Sequence, residues 1–279
     1  MAERRYQSPY LIISEHQKSL FSGTFQRRDR DSNPSHSVLS APVTSVQVTG
    51  KSIKLVREGF ADGTFQHERS NPPLGFTLQH LDPSHPYLAS RGFTAETIEH
   101  FGLGYCARGM LKGRIAIPLH DAAGVLIGYA GRLVDYTAIT DECPKYLFPG
   151  RRKHGGTTID FRKSRFLYNG YRIAQPVDRL VVCEGYPATW WLHQAGYTNV
   201  VGLMGSDCSG EQADLIVRAT KPDGHVWLFT DADSAGNTCA ANGLTLIGAS
   251  RFVRRVSIEH GQPTDYTPSD LAGRLWNCS

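Results

Sequence analysis

The sequence has no long apolar run and no cluster of cysteines. No apolar stretch approaches the roughly 18 residues that a membrane helix needs, and the apolar stretch at residues 10–13 is too short for the core of a signal peptide. The six cysteines lie at least 25 residues apart and show no CxxC or CxH spacing. Such thiols are typical of a reduced, cytoplasmic protein rather than of a disulfide framework or a zinc knuckle. We therefore expect a cytoplasmic location and no membrane association.

The charges are unevenly distributed, although the net charge of +4 is small. Residues 145–172 contain eight lysines and arginines against one aspartate, whereas residues 173–279 contain seven basic and eleven acidic residues. An enzyme that handles phosphates with metal ions needs this combination, because the cationic band attracts the polyanion and the carboxylates hold the metal cations. A solvated basic loop is the alternative interpretation of the band.

The composition changes along the 279 residues, and we predict three segments, 1–74, 75–172 and 173–279. The first is rich in Ser, Thr, Asn, Pro and Arg and contains short alternating pieces at 45–48 and 52–56, which favour a β-rich or partly disordered segment. The second contains three local patterns. They are a short helix that Thr94 caps and that ends near Phe101, a β-hairpin of 114–119 and 125–130, and a basic loop at 149–158.

From residue 180 onward, apolar runs alternate with helical patterns. The predicted strands are 180–183, 200–204, 226–229 and 252–258, and the predicted helices are 187–194, 209–219 and 237–249. This alternation indicates a parallel sheet with right-handed crossovers. The predicted fold class is therefore α/β, with an α+β part before the parallel-sheet domain.

Acidic residues follow three of these strands. Glu184 comes after the first, Asp231 and Asp233 after the third, and Asp265 and Asp270 after the fourth. Ligands of such sheets gather beyond the carboxyl ends of the strands, and hard oxygen ligands suit Mg²⁺ or Mn²⁺. A single aspartate at a strand end is most often a helix cap, but acids at three strand ends favour a metal site. We predict all five as metal ligands and the first three as catalytic, with Glu184 either a ligand or a proton acceptor.

Two of these acidic stretches resemble the motifs of a TOPRIM domain, the module shared by bacterial primases, topoisomerases and related nucleases. They are VCEGY at 182–186 and DADSAG at 231–236, with the leading acids 47 residues apart. The intervening GLMGS at 202–206 resembles the glycine-containing strand end of primase TOPRIM domains. The resemblance implies a Rossmann-like parallel sheet that binds catalytic metal ions.

Upstream motifs resemble the catalytic core of DnaG-type primases, in the same order along the chain. Residues 87–105 are similar to the helix that opens that core, 113–119 and 128–132 to its central hairpin, and 144–147 and 161–168 to its next two basic motifs. The resemblance covers about residues 85–272. It implies template-directed synthesis of short RNA primers on single-stranded DNA during replication, from ribonucleoside triphosphates.

The resemblance also implies roles for basic residues. Arg132, Lys145 and Lys163 would face the nucleotide phosphates and the template, with Arg114 and Arg165 nearby. Bidentate arginine and point-charge lysine are the usual partners of a triphosphate.

The chain departs from the family at its N-terminal segment. DnaG-type primases carry a zinc ribbon there, but no cysteine precedes Cys106, and residues 31–38 only faintly resemble the turn of that ribbon. The chain also lacks a Walker A sequence, so we expect a separate replicative helicase as partner. A compact primase of this kind fits a phage or mobile element that acts in the host cytoplasm. The alternatives are a non-catalytic primase-derived accessory that binds single-stranded DNA, and a TOPRIM-type nuclease.

The first 74 residues are therefore predicted to bind no stoichiometric zinc. Their possible ligands are His16, His36 and His67, which are 20 and 31 residues apart, whereas a structural zinc site needs four closely organised ligands. Elemental analysis of the purified protein should find no zinc, and its folding should be indifferent to chelators. One zinc per chain would contradict this expectation.

Overall fold

The structure is a computed structural model, and it describes residues 46–49, 52–55 and 71–276. The chain divides between Thr64 and Phe65. In the first unit, strands β1 (Val46–Thr49) and β2 (Ser52–Leu55) pair antiparallel, which confirms the strand pattern predicted there. The faint ribbon-like turn at 31–38 lies outside the described residues.

The second unit begins with two short helices and an antiparallel sheet. The helices are α1 (Pro86–Ser90) and α2 (Ala95–His100), and the strands are β3 (Gly104–Cys106), β4 (Arg114–His120), β5 (Leu126–Leu133) and β6 (Tyr146–Leu147), in the order β3-β4-β5-β6. The Thr94 hydroxyl accepts a hydrogen bond from the Thr97 N–H, so the predicted cap is confirmed. The β4–β5 hairpin is confirmed too, and Gly124 closes its turn with a φ of 78°.

The predicted basic loop at 149–158 was wrong, because most of this segment forms a second hairpin. Strand β7 (Arg152–His154) pairs antiparallel with β8 (Thr157–Ile159). Gly155 and Gly156 connect the strands with φ of 56° and 81°. Positive φ at both central residues is the requirement of a two-residue type I′ turn. The Gly-Gly pair between the two short strand-forming segments therefore indicates a β-hairpin rather than an irregular loop.

The predicted parallel sheet is confirmed. It consists of β9 (Val177–Cys183), β10 (Val200–Gly202), β11 (Thr220–Phe229) and β12 (Phe252–Arg255), all parallel and in the order β10-β9-β11-β12. Its helices are α3 (Tyr186–Gln194), α4 (Gly210–Ala219), α5 (Ser234–Gly248) and α6 (Pro268–Arg274). Helix α6 was not predicted. Strand β11 begins earlier than predicted, since its polar start still pairs with β9 across an irregularity in the register.

Helix α3 joins the two sheets through two hydrophobic clusters, and in one of them its Leu192 packs with Val181 and Cys183 of β9. Its Trp190 is completely buried together with Ile115 and Ile117 of β4. The Trp190 indole N–H also donates to the Tyr168 hydroxyl at 2.8 Å, so its polar atom is satisfied. Burying a side chain of this size typically stabilises a fold by about 3–5 kcal/mol relative to alanine. The predicted segments 75–172 and 173–279 therefore share a core, and this core holds the end of β9 against the antiparallel sheet.

Candidate active site

Two strand-end acidic residues are joined by a hydrogen bond. Glu184 directly follows β9, and its Oε1 accepts from the backbone N–H of Asp231 beyond the end of β11, at 2.8 Å. Asp233 caps α5, and its Oδ1 accepts from the Gly236 N–H at 2.7 Å. A Cβ on Gly236 would lie 2.1 Å from the Asp231 carbonyl oxygen and 2.7 Å from Glu184 Oε1. Glycine is therefore required at this position by the close approach of the two strand ends.

The neighbouring basic side chains do not neutralise these carboxylates. Burial raises the pKa of Glu184 to about 7; the charges of Asp231 and Asp233 add to this effect, and that of Arg255 opposes it. Burial also raises the pKa of Asp231, and Asp265 is one of the two acids that add to the shift. We call Glu184, Asp231, Asp233 and Asp265 the acidic edge. Mutual repulsion of this kind is what a bound divalent cation relieves.

The donor atoms of the acidic edge suit Mg²⁺ or Mn²⁺, but they do not form a ready cage. Within the described ranges, no three His, Cys, Asp or Glu side chains converge closely enough to hold a metal ion. Mg²⁺ usually takes only one or two carboxylates and completes its shell with water and substrate phosphate. The residues therefore fit a metal that binds together with a phosphate ligand.

The remaining predicted metal ligand lies in a helix cap. Asp270 is in the first turn of α6, where its carboxylate accepts from the Thr267 N–H at 3.0 Å and from the Thr267 hydroxyl at 2.7 Å. These hydrogen bonds lower the pKa of Asp270. Its metal-binding role stays a prediction.

A cavity of about 410 Å³ opens beside the acidic edge. Glu184 and Asp231 line one part of it, and three basic side chains, Arg91, Arg132 and Lys145, also line it. Acids and cations therefore share one cavity, as binding of a metal-phosphate complex requires.

The buried Arg132 donates hydrogen bonds to three tyrosine hydroxyls. Its Nε donates to Tyr87 and one terminal nitrogen to Tyr136, each at 2.5 Å, and the other terminal nitrogen donates to Tyr146. The side chain is 5% exposed, whereas Tyr136 is 43% exposed and lines the cavity. Burial works to raise the pKa of Tyr136, but the hydrogen bond with Tyr87 and the charge of Arg132 lower it. Tyr136 thus places at the cavity wall a hydroxyl that is polarised by the positive charge of Arg132.

The other predicted basic residues do not line this cavity. Arg114 is buried and donates to the Pro144 carbonyl oxygen at 2.7 Å, so it supports the backbone just before Lys145. Lys163 donates to the Met204 carbonyl oxygen at 3.4 Å and borders a neighbouring cavity of about 220 Å³.

Arg165 lies away from the acidic edge. It is 3.9 Å from the carboxylate of Glu211 and lines a separate groove. The nucleotide or template role of all five predicted basic residues stays a prediction.

Three residues of the candidate site were not predicted from the sequence. Arg91 and Tyr136 line the cavity, and Arg255 influences Glu184 from the end of β12. The buried Nε of Arg255 has no hydrogen-bond partner among the described residues. Arg255 was missed because it lies inside the predicted strand 252–258, whereas β12 ends at this residue. Arg91 lies inside the primase-like stretch at 87–105, but no sequence pattern marked Tyr136.

Comparisons with known proteins point to bacterial primases, although no family model matches the chain. The chain is 29% identical to a DNA primase of Deinococcus radiodurans over 233 residues, covering 69% of this chain and 38% of the relative. It is 30% identical to a DNA primase of Legionella pneumophila over 188 residues, covering 55% and 30%. The chain thus spans about a third of the length of the curated relatives it matches.

Solved structures share the fold. A DnaG primase catalytic domain bound to single-stranded DNA matches with a TM-score of 0.55 and 22% identity, covering 69% of this chain and 70% of that one. The RNA polymerase domain of Mycobacterium tuberculosis primase DnaG matches with a TM-score of 0.55 and 21% identity, covering 69% and 75%. The fold is therefore that of the DnaG catalytic core. No helix in the described parts is long and apolar enough to cross a membrane.

The Arg132 cluster makes a prediction about stability. Arg132→Met should lower the free energy of unfolding by about 2 kcal/mol, because the Tyr146 hydroxyl loses its donor, while the Tyr87 hydroxyl keeps its hydrogen bond with Tyr136. Urea denaturation measures this change. Arg151→Met is the control, since Arg151 is exposed and its ion pair with Asp160 should contribute under about 1 kcal/mol. Equal effects of the two substitutions would contradict the structural role of Arg132.

The raised pKa of Glu184 makes a second prediction, for the protein without divalent cations. Between the ordinary pKa of 4.5 and the folded value of about 7, the folded state binds more protons than the unfolded state. The contribution of Glu184 to the free energy of unfolding should therefore be greatest below pH 4.5 and should fall as the pH rises towards 7.

Unfolding midpoints across this pH range measure the effect. Glu184→Gln should flatten the decline, and Mg²⁺ should reverse it in the unaltered protein. The matched substitution Glu211→Gln, at an exposed position of α4, should retain the decline. An identical pH profile for Glu184→Gln and the unaltered protein would show that this carboxyl does not titrate as stated.

Proposed function

We propose that this chain, which carries a DnaG-type primase catalytic core, synthesises short RNA primers on single-stranded DNA by metal-dependent nucleotidyl transfer. The observation that supports the proposal is the cavity in which the acidic edge meets Arg91, Lys145 and the tyrosine-bound Arg132. A nucleoside triphosphate complexed with Mg²⁺ or Mn²⁺ presents the complementary charges. Its metal needs carboxylate oxygens, and its phosphates need cationic and hydroxyl donors.

The acidic edge would hold the metal ions. When bound, they would neutralise the triphosphate and lower the pKa of the attacking hydroxyl. Glu184 has two possible roles, metal ligand or acceptor of that hydroxyl's proton, and a pKa of about 7 suits a general base near neutral pH. Lys145 and Arg91 would orient the phosphates, and Tyr136 would donate from its polarised hydroxyl.

The substrates would be ribonucleoside triphosphates and a single-stranded DNA template. Support for the template comes from the structural neighbour that binds single-stranded DNA and from a Mycobacterium tuberculosis primase domain in complex with double-stranded DNA that has a six-nucleotide overhang. The basic band at 145–172 provides the electrostatic attraction for such a polyanion. A separate replicative helicase would supply unwound DNA.

One observation favours a second candidate function. No cysteine precedes Cys106 to supply the thiol ligands of the zinc ribbon found in DnaG-type primases, and this departure favours an accessory that binds single-stranded DNA without catalysis. This candidate predicts DNA binding without nucleotide incorporation.

The role of the acidic edge can be tested by Asp231→Asn. Primer synthesis should fall at least about 100-fold because the metal loses a charged ligand, while single-stranded DNA binding should change little. The substitution keeps the backbone N–H that donates to Glu184. Asp223→Asn, at an exposed position of β11, is the matched control and should retain full synthesis.

Template-directed incorporation of ribonucleotides with Mg²⁺ or Mn²⁺ is the measurement, beside a nuclease assay on the same DNA. Full synthesis by Asp231→Asn would contradict the metal role. DNA binding without incorporation by the unaltered protein would favour the accessory, and cleavage without incorporation would indicate a nuclease.

A further inference from the structure

The β7–β8 hairpin carries basic side chains that take no part in the cavity. Lys153 and His154 are exposed on β7, and Arg151 just before it is 70% exposed in an ion pair with Asp160. Asp160 is the one acidic residue among residues 145–172. The hairpin therefore presents a net positive charge to solvent.

The hairpin starts at the rim of the cavity, and an aromatic contact joins its two ends. Phe148 precedes the hairpin and lines the cavity, and Phe161 follows it. The two rings stack with centroids 6.5 Å apart, and Phe161 also packs edge-to-face on the buried Phe166 at 5.7 Å. The base of the hairpin is thus attached to the core, and none of residues 149–161 lines the cavity.

A second contact holds the hairpin from its side. The Arg152 guanidinium donates to the Pro72 carbonyl oxygen. The nearby Asn71 side chain donates to the Arg162 carbonyl oxygen and accepts from the Arg162 N–H, at 3.0 and 2.9 Å. Arg152 is therefore an anchor, whereas Lys153 and Arg151, whose exposed ion pair with Asp160 is weak, remain as the cations for a ligand.

The far end of the hairpin is open. Among residues 71–276, no atom lies within 4 Å of a Cβ built on Gly155 or Gly156, so these glycines serve the turn conformation rather than a close contact with that part of the chain. Thr158 is paired with Lys153 across the strands, and both are exposed. A cation and a hydroxyl therefore stand side by side on one face, which is a donor set suited to a phosphate diester oxygen.

We propose that the β7–β8 hairpin binds the phosphate backbone of the single-stranded template outside the cavity, and so adds affinity without taking part in the chemistry. The identity of the bound strand rests on the proposed function. The position at the cavity rim favours this ligand over an acidic peptide, because a template strand in the cavity would have to continue past Phe148.

The double variant Arg151→Ala/Lys153→Ala tests the proposal by fluorescence anisotropy with labelled DNA. Loss of two phosphate contacts should reduce the slope of log K against log salt by about 1.4 and weaken binding about tenfold at moderate salt. The loss should occur with a long oligonucleotide and not with one short enough to occupy only the cavity. The kcat for nucleotide incorporation at saturating template should stay unchanged.

The matched control is Arg108→Ala/Lys112→Ala, which removes two exposed cations from the segment between β3 and β4. It should leave both the affinity and the salt slope near those of the unaltered protein. Equal losses in the two double variants would overturn the proposal in favour of general electrostatics, and so would wild-type binding by Arg151→Ala/Lys153→Ala. Tighter binding of polyglutamate than of DNA to the unaltered protein would overturn it in favour of an acidic peptide.

The outcomes separate this proposal from the proposed function. Hairpin-dependent binding of long DNA by a protein that incorporates no nucleotide would support the hairpin site and contradict primase activity. Nucleotide incorporation with a template affinity that is independent of the hairpin would support primase activity and contradict the hairpin site. Unchanged unfolding midpoints of both double variants establish that the fold is intact.

Discussion

The hydrogen bond from the Asp231 N–H to Glu184 is the constraint on which the candidate site depends. It joins the ends of adjacent parallel strands, and it draws the start of α5 so close that only Gly236 fits there. The acids are thereby kept near one another; burial raises the pKa of the half-buried Glu184 and Asp231, and repulsion among the acids adds to the shift. Buried charges of one sign are tolerated where function requires them. The fold supplies the required rigidity through the core around Trp190.

Arg132 shows a different solution for a buried charge. Its guanidinium donates to neutral hydroxyls rather than to a carboxylate, so the hydrogen bonds are satisfied while the positive charge is not cancelled. An ion pair at this position would have left little attraction for an anion. Because Tyr136 is the exposed member of the cluster, the charge is presented to the cavity through a hydroxyl that can adjust to its ligand.

The sequence allowed the parallel sheet and its acids to be predicted because both depend on short-range patterns. Apolar runs mark the buried strands, and the residue after each strand, such as Glu184, lies at the ligand-binding edge. The Arg132 cluster could not be predicted in this way, since Tyr87 and Arg132 are 45 residues apart and meet only through tertiary packing. The β7–β8 hairpin could have been predicted, because its Gly-Gly turn is a local signal that the basic composition obscured.

In the proposed function, the distribution of charge predicts that a metal and a nucleotide bind together. The acidic edge repels itself, yet its carboxylates do not converge into a metal cage within the described residues. A free cation would therefore gain few protein ligands, whereas a cation already chelated by a triphosphate would bring its own oxygens. The triphosphate would in turn find Lys145 and Tyr136 along the same cavity. The metal would thus meet the carboxylates, and the triphosphate would meet the basic and hydroxyl side chains. Binding of metal and nucleotide is therefore expected to be mutually dependent.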